Sequence, residues 1–213
     1  MRNHGKSDAS WDRWDVDENA DVVISILKEL GISSCNIVGW SMGSAVAMSI
    51  AKKNKPLVNK LVLITPFSWL GGAVYSDKVA FKIFVSFVRI RERLFPNFNP
   101  KSKFSFLKKS NSINDEYTEW AWNNLHKSKD DFIYADGGRF VVPYDARSWI
   151  HEIEAETLVI TGGRDKLVPE ETSNDVVKRL NEVKVKTFPD AGHSVPWTHE
   201  EDLLTELREF FSL

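Results

Sequence analysis

Short apolar runs and longer amphipathic segments alternate in the two ends of this 213-residue chain. The runs at 35–38, 60–64 and 157–161 are largely apolar, which is typical of strands that are buried on both faces. Such strands occur mainly in parallel sheets that are covered by helices. Residues 183–188 instead alternate apolar and charged side chains, which predicts a half-exposed edge strand. The pattern therefore predicts an α/β fold with a mostly parallel sheet.

Helical patterns separate these strands. The first predicted helix follows acidic residues that include Asp15 and Asp17, whose charge complements the helix dipole, and it ends at Gly31. Small and apolar residues at 45–51 predict a second helix, and an amphipathic pattern at 203–211 predicts the last one. The strands are therefore expected to have helices packed against them. The predicted apolar face of the first helix contains Val22, Val23, Ile26, Leu27 and Leu30.

Residues 66–147 interrupt this rhythm and are predicted to form a helical insertion in a single core domain made of residues 1–65 and 148–213. Between 77 and 109 the insertion is rich in lysine, arginine and phenylalanine. One interpretation is a cap whose apolar face lines an acyl pocket and whose basic face attracts an anionic substrate or a lipid surface. The other, which we favour, is a solvated basic face over an ordinary packed interior.

Composition argues against several classes of function. A formal net charge of −2 gives no field that would attract nucleic acid or another polyanion. The one cysteine, Cys35, cannot form a disulfide framework, and its place in an apolar run predicts a buried, unreactive thiol. We read no leader segment and no apolar run of membrane-spanning length, and therefore expect a cytoplasmic protein. No metal-ligand spacing, phosphate loop or dinucleotide fingerprint appears, so we expect no metal and no cofactor.

The sequence GWSMG at residues 39–43 joins the first predicted strand to the second predicted helix. A turn this tight leaves little room beside Ser41, which predicts that both Gly39 and Gly43 are needed for steric reasons. The hydroxyl would then be exposed at a helix N-terminus, whose free N–H groups stabilise an anion. This is the geometry of a nucleophile, and the alternative is a plain structural turn.

Two further residues complete a candidate catalytic set with Ser41. Asp165 follows the third predicted strand and His193 follows the fourth, and ligands of open parallel sheets bind at the carboxyl ends of the strands. A serine hydroxyl becomes a good nucleophile when an imidazole, oriented by a carboxylate, takes its proton. Asp190 is too close in sequence to His193 to reach its ring easily. Solvated or capping roles are predicted for the other histidines, His4, His126, His151 and His199.

Four motifs resemble the α/β-hydrolase superfamily, in particular its serine esterase-like members. They are GWSMG at 39–43, LVITGGRDKLVP at 158–169, PDAGH at 189–193 and RNHGKS at 2–7. The resemblance implies a mostly parallel sheet flanked by helices, with the insertion as the variable cap of the family. It implies that Ser41 is the nucleophile, His193 the general base and Asp165 the orienting acid. It also implies that the backbone N–H of Met42 helps to bind the oxyanion.

The activity implied by this resemblance is that of a serine hydrolase. We expect cleavage of a carboxylic ester or thioester with an apolar acyl group, through an acyl-enzyme and without a cofactor. The expected partner is thus a small molecule, with no nucleic acid and no membrane span. Carbon–carbon bond hydrolysis and cofactor-free peroxidation use the same triad and stay open as alternatives.

The resemblance fails at the beginning of the chain. Members of the family have three strands and part of a fourth before the loop that starts here at Met1, and a backbone N–H after the third strand supplies half of the oxyanion hole. We therefore expect a chain truncated at its N-terminus, with an open edge on the strand that ends at Gly39. Such an edge favours self-association. The alternative function is accordingly a catalytically impaired homologue, either a fragment or a remnant that binds a partner.

Overall fold

The computed structural model describes residues 15–70, 144–168 and 170–213, together with Ser7, Ile90 and Leu94. Four parallel strands in these ranges form one sheet, in which each strand is hydrogen-bonded to the next along the chain. The strands are β1 (Cys35–Trp40), β2 (Val58–Ile64), β3 (Glu156–Gly162) and β4 (Val183–Phe188).

Helices cover both faces of this sheet. The first begins with a capping box, in which Asp15 and Glu18 each bond the backbone N–H of the other, and the chain leaves it through Gly31 at φ 70°, as predicted. No helix among the described residues is long and apolar enough to cross a membrane. The helices are α1 (Val16–Glu29), α2 (Met42–Lys53), α3 (Glu170–Arg179), α4 (Val195–Thr198) and α5 (Glu200–Phe211), with short 3₁₀ turns at Lys55–Leu57 and Ile150–Glu152.

The core consists of two apolar layers, one on each face of the sheet. Leu61 and Leu63 of β2 pack with α1, α2 and α3, whereas Val62 and Ile64 pack with α4 and α5. Successive side chains of a strand point to opposite faces, so β2 lies between the two layers. The predicted α/β fold, with a parallel sheet flanked by helices, is confirmed.

The first strand is more exposed than the second. Within the described ranges β1 pairs with β2 alone, and Val38 is 48% exposed. The prediction that the run at 35–38 is buried on both faces is therefore wrong, because burial also depends on what lies at each side of a strand. Cys35 is half-buried rather than buried, and its partial burial raises the pKa of the thiol. Self-association through this edge stays a prediction.

The first helix packs on α2 with a face that only partly matches the predicted one. Val23 and Leu27 contact the core, as predicted. The other three members of the predicted face are exposed, Val22 by 42%, Ile26 by 50% and Leu30 by 68%. Apolar spacing shows which residues share a helix face, but the neighbouring element decides which part of that face is covered.

Most of the predicted insertion at 66–147 lies outside the described residues, including almost all of its predicted helices and of its basic, phenylalanine-rich part. Its two ends are described. They meet in an antiparallel bridge between Trp69 and Asp145, and the guanidinium of Arg147 lies 4.8 Å from the centre of the Trp69 ring. The Ser173 hydroxyl of α3 also donates a 2.6 Å hydrogen bond to the Pro66 carbonyl. These contacts support an insertion that leaves the sheet and returns to it at one place.

Candidate active site

Ser41 occupies the single residue between β1 and α2. Its backbone has φ 54° and ψ −120°, a conformation that a residue with a side chain rarely adopts. The Ser41 N–H donates a 2.9 Å hydrogen bond to the carbonyl of Ile64, which fixes the turn to the end of β2. Strain of this kind costs about 1–3 kcal/mol and is typical of functional sites.

The two glycines that flank Ser41 have different roles. A Cβ added at Gly39 would overlap the backbone of Gly43 and lie 2.8 Å from the Cα of Ser44, so glycine is required there. A Cβ at Gly43 would meet no atom of the described residues within 4 Å. The prediction that sterics require both glycines is therefore wrong for Gly43. Ser44 is fully buried and its hydroxyl donates a 2.5 Å hydrogen bond to the Ser41 carbonyl, which stabilises the turn.

The three residues predicted to form a catalytic set lie in hydrogen-bonding contact. His193 Nε2 is 2.8 Å from Ser41 Oγ, and His193 Nδ1 is 2.8 Å from Asp165 Oδ2. The other carboxylate oxygen, Asp165 Oδ1, accepts the backbone N–H groups of Leu167 and Val168 at 2.8 and 3.0 Å. With Nδ1–H donating to the carboxylate, Nε2 is free to accept the proton of the serine hydroxyl.

The order of the strands explains how residues far apart in sequence meet. Ser41 follows β1 and Asp165 follows β3, so the end of β2 lies between them. The imidazole of His193, from the loop after β4, spans this gap. The side chain of His193 is 13% exposed and that of Asp165 is 7% exposed. The imidazole–carboxylate pair is therefore largely shielded from water.

The turn that carries Asp165 and the loop that carries His193 are in close contact, which the sequence analysis did not predict. The N–H of Arg164 donates a 2.9 Å hydrogen bond to the Ala191 carbonyl. A Cβ at Gly162 would lie 2.7 Å from that same carbonyl oxygen and would overlap the Gly192 carbonyl. The paired glycines at 162–163 were the available signal, because adjacent glycines permit close approach of two backbones.

Asp190 does not contact His193 and bonds His199 instead, with Oδ1 at 3.3 Å from His199 Nε2. The pKa of Asp190 is lowered, first by its own backbone N–H and then by His199. His199 precedes α5 as its N-cap residue and also contacts the Thr198 hydroxyl at 2.8 Å. His199 therefore occupies the cap position, but its side chain forms no cap hydrogen bond to α5. His151 is exposed, and His4 and His126 lie outside the described residues.

Thr65 is a second strained residue beside the candidate nucleophile. It follows β2, has φ 46° and is 1% exposed. Because Trp40 pairs with Ile64 in the sheet, Thr65 comes next to Ser41 in register. Its hydroxyl has no hydrogen-bond partner in the described part of the chain. Nothing in the sequence marks Thr65, which simply ends an apolar run.

The elements around Ser41 also provide a place for negative charge. Met42 is the first residue of α2, and the first N–H groups of a helix have no acceptor within the helix. The site thus combines a hydroxyl, a shielded imidazole–carboxylate pair and an anion-stabilising helix end. No group of three or more His, Cys, Asp or Glu residues suited to a metal ion occurs within the described ranges.

Comparison with known proteins identifies the family. A family model for the alpha/beta hydrolase fold matches residues 1–200. The chain belongs to this family. Among curated relatives, the 2-hydroxy-6-oxo-6-phenylhexa-2,4-dienoate hydrolase of Burkholderia cepacia is 26% identical over 194 residues, which cover 86% of this chain and 64% of that protein. The chain therefore spans less than two thirds of the length of this relative.

Solved structures share the fold at lower sequence identity. An esterase from Exiguobacterium antarcticum superposes with a TM-score of 0.79 at 19% identity, covering 100% of this chain and 79% of that chain. The enol-lactonase of Burkholderia xenovorans LB400 gives a TM-score of 0.76 at 16% identity and covers 100% and 78%. At these identities the likeness establishes the α/β-hydrolase fold, and the relatives named here are hydrolases.

Proposed function

We propose that the protein is a serine hydrolase that cleaves a carboxylic ester or thioester. The observation that carries this proposal is the continuous chain of contacts from Ser41 Oγ through His193 to Asp165, with both distances at 2.8 Å. The strained turn at Ser41 supports it, because strained backbone conformations cluster at functional sites.

The proposed reaction has two halves. Ser41 Oγ attacks the carbonyl carbon while His193 Nε2 takes the hydroxyl proton, and the negative oxygen is stabilised by the Met42 N–H. The bond to the leaving group then breaks, and His193 returns the proton to the departing alcohol or thiol. Water next attacks the acyl-enzyme in the same way, which releases the acid and restores the serine. Asp165 stabilises the imidazolium in both halves.

The acyl group of the substrate is proposed to be apolar. This part depends on the phenylalanine-rich segment at 77–109, which lies outside the described residues apart from Ile90 and Leu94. A series of p-nitrophenyl esters of increasing acyl length measures it directly. Turnover should rise from acetate to a medium-chain acyl group, and a steady fall with length would contradict an apolar pocket.

Carbon–carbon hydrolysis is the second candidate, favoured by the curated relative that acts on 2-hydroxy-6-oxo-6-phenylhexa-2,4-dienoate. The dienol would first take a proton at C5 and become its 2-keto tautomer. Ser41 Oγ would then attack the 6-oxo carbon, and the C5–C6 bond would break with its electron pair delocalised onto the 2-keto oxygen. Water would release the acid from the acyl-enzyme and restore the serine. Decay of the ultraviolet–visible absorbance of this dienoate measures the activity. A kcat/KM for the dienoate that exceeds the best ester value would make it the leading function.

Labelling with a fluorophosphonate tests the serine hydrolase directly. The folded protein should be labelled at Ser41, and Ser41→Ala should be neither labelled nor active. Ser34→Ala is the control, since Ser34 directly precedes β1, at the other end of the strand from Ser41, and its hydroxyl bonds the Asn59 side chain. Its loss should leave labelling intact. A cooperatively folded wild-type protein that takes no label and hydrolyses no ester would reject the proposal and favour an impaired homologue.

A further inference from the structure

Trp40 joins the turn of the candidate nucleophile to the loop of the candidate base. It is the last residue of β1 and directly precedes Ser41. Its indole Nε1–H donates a 2.9 Å hydrogen bond to the backbone carbonyl of His193. Its ring centre also lies 5.5 Å from that of the His193 imidazole, with the planes tilted by 39°. Trp40 thus contacts both the backbone and the ring of His193.

The loop that carries His193 is held at two nearby points. The Ala191 carbonyl accepts the N–H of Arg164, which ties the loop to the turn of Asp165. The His193 carbonyl accepts the indole of Trp40, which ties it to the turn of Ser41. One hydrogen bond therefore ties the loop to the turn of Asp165 and the other ties it to the turn of Ser41. The two bonded carbonyls are two residues apart in sequence.

The orientation of the Trp40 indole is itself fixed by packing. The ring is partly buried against the apolar layer that includes Val62, Ile64 and Val195. Trp197 of α4 packs edge-on against it, with ring centres 4.5 Å apart and planes at 69°. A side chain packed in this way can hold a hydrogen bond in one direction.

We propose that Trp40 is a positioning residue that holds His193 Nε2 at 2.8 Å from Ser41 Oγ. The inference rests on the proposed serine hydrolase function. Proton transfer depends strongly on the alignment of donor and acceptor, and a displacement of about 1 Å costs roughly 100-fold in rate. Removing the hydrogen bond from Trp40 while an aromatic ring stays at that position should displace His193 by less than about 1 Å and should therefore cost less than about 100-fold.

Trp40→Phe tests the role of the indole N–H. It keeps an aromatic ring and removes the donor, so kcat should fall about tenfold while KM changes by less than about twofold. The loss should be larger for an alkyl ester than for a p-nitrophenyl ester, because an alkoxide needs the proton of His193 to leave and a nitrophenolate does not.

Trp149→Phe is the matched control. Trp149 packs on Tyr144 and Lys52 at the base of the insertion, so its replacement should lower the melting temperature and leave kcat unchanged.

A second replacement and a second measurement separate this proposal from its alternatives. Substituting β-(3-benzothienyl)alanine for Trp40 keeps the size of the indole and replaces N–H by sulfur, so a loss of kcat there cannot come from repacking. The NMR resonance of the His193 Nδ1 proton, hydrogen-bonded to Asp165, should shift or broaden in both variants. This signal reports the position of His193 even if the wild-type protein hydrolyses nothing, which would reject the serine hydrolase instead. Unchanged kcat for both ester types, with an unchanged resonance, would overturn the role of Trp40.

Discussion

The region after β4 holds parts of two similar sets of side chains that differ in what they can do. Each set has a hydroxyl, an imidazole and a carboxylate: the relay trio is Ser41, His193 and Asp165, and the capping trio is Thr198, His199 and Asp190. The relay trio comes from the ends of three strands, whereas the capping trio lies within a stretch of ten residues. The carboxylate of the relay trio is 7% exposed and that of the capping trio is 67% exposed.

The hydroxyl groups explain why these two sets are not equivalent. Thr198 donates to the carbonyl of Ser194, the N-cap residue of α4, at 3.2 Å, so its proton is engaged within the helical turn. Ser41 stands alone between a strand and a helix, where its hydroxyl meets His193 and the first N–H groups of α2 are close. The residue types alone therefore do not distinguish the two sets, whereas placement at the ends of parallel strands does.

The largest predicted effect separates the two hydroxyl groups. Ser41→Ala should lower kcat/KM for an ester by about 10⁴-fold or more, because the nucleophile is lost. Thr198→Val keeps the shape of the side chain, removes the corresponding hydroxyl and should leave kcat/KM unchanged. Steady-state hydrolysis of p-nitrophenyl esters measures both. Equal losses in the two variants would mean that the relay trio has no special role.

The second largest predicted effect separates the two carboxylates, Asp165 and Asp190. Asp165→Asn removes the group that orients His193 and should reduce kcat by about 10²- to 10⁴-fold with KM little changed. Asp190→Asn, in the same type of contact with His199, should keep wild-type kcat. The pair is measured with the same ester at saturating concentration. Equal losses of kcat in Asp190→Asn and Asp165→Asn would mean that Asp165 has no special role in orienting His193.

The backbone that gathers the relay trio can be disturbed without touching its side chains. In Gly162→Ala the new Cβ must push apart the Asp165 turn and the His193 loop, and we expect kcat to fall by roughly 100-fold. Gly192→Ala is the control, since a Cβ at Gly192 meets no atom within 4 Å in the part of the chain that the structure describes. Kinetics and circular dichroism of both variants measure the effect. A fully active Gly162→Ala protein would show that the close contact is not required.

The positions of the relay trio could be predicted because each member follows a recognisable strand pattern, apolar for β1 and β3 and alternating for β4. Strand ends of a parallel sheet share one edge, so three such residues are expected there whatever their separation in sequence. Contacts between loops could not be predicted in this way. Gly39 and Gly43 look alike in the motif, yet among the described residues a Cβ at Gly39 meets a neighbouring backbone and a Cβ at Gly43 does not. That difference depends on the direction of each Cα–Cβ vector in the folded turn.

Exposure was the other property that local pattern could not supply. Val38 and Val62 both lie in apolar runs, but Val62 has a strand on each side and is fully buried, whereas Val38 is 48% exposed. The strain at Thr65 was equally hidden. Its φ of 46° follows from the way in which the end of β2 turns beside Ser41, and no residue type in that run requires it.

Thr65 gives a smaller effect, on stability, close to the relay trio. Its buried hydroxyl is unpartnered among the described residues, and such a group costs about 1–3 kcal/mol. Thr65→Val removes the hydroxyl and keeps the branched shape, so unfolding should become less favourable by about 1 kcal/mol and the melting temperature should rise by about 2–4 °C. Differential scanning calorimetry measures the change. A lower melting temperature would show that the hydroxyl does have a partner.

The smallest effect concerns pH and the carboxylate of the capping trio. Because the pKa of Asp190 is lowered in the folded protein, its contribution to stability is present above the unfolded pKa of about 3.9 and is lost as pH falls through the folded value. Asp190→Asn should therefore melt slightly below the wild-type protein at pH 7, and the two melting temperatures should converge in acid. Thermal unfolding from pH 7 to pH 3 measures the difference. Glu182→Gln, at an exposed acid directly before β4, is the control for loss of one negative charge. A difference that stays constant over this pH range would mean that Asp190 stabilises the loop through its shape or backbone contacts rather than its charge.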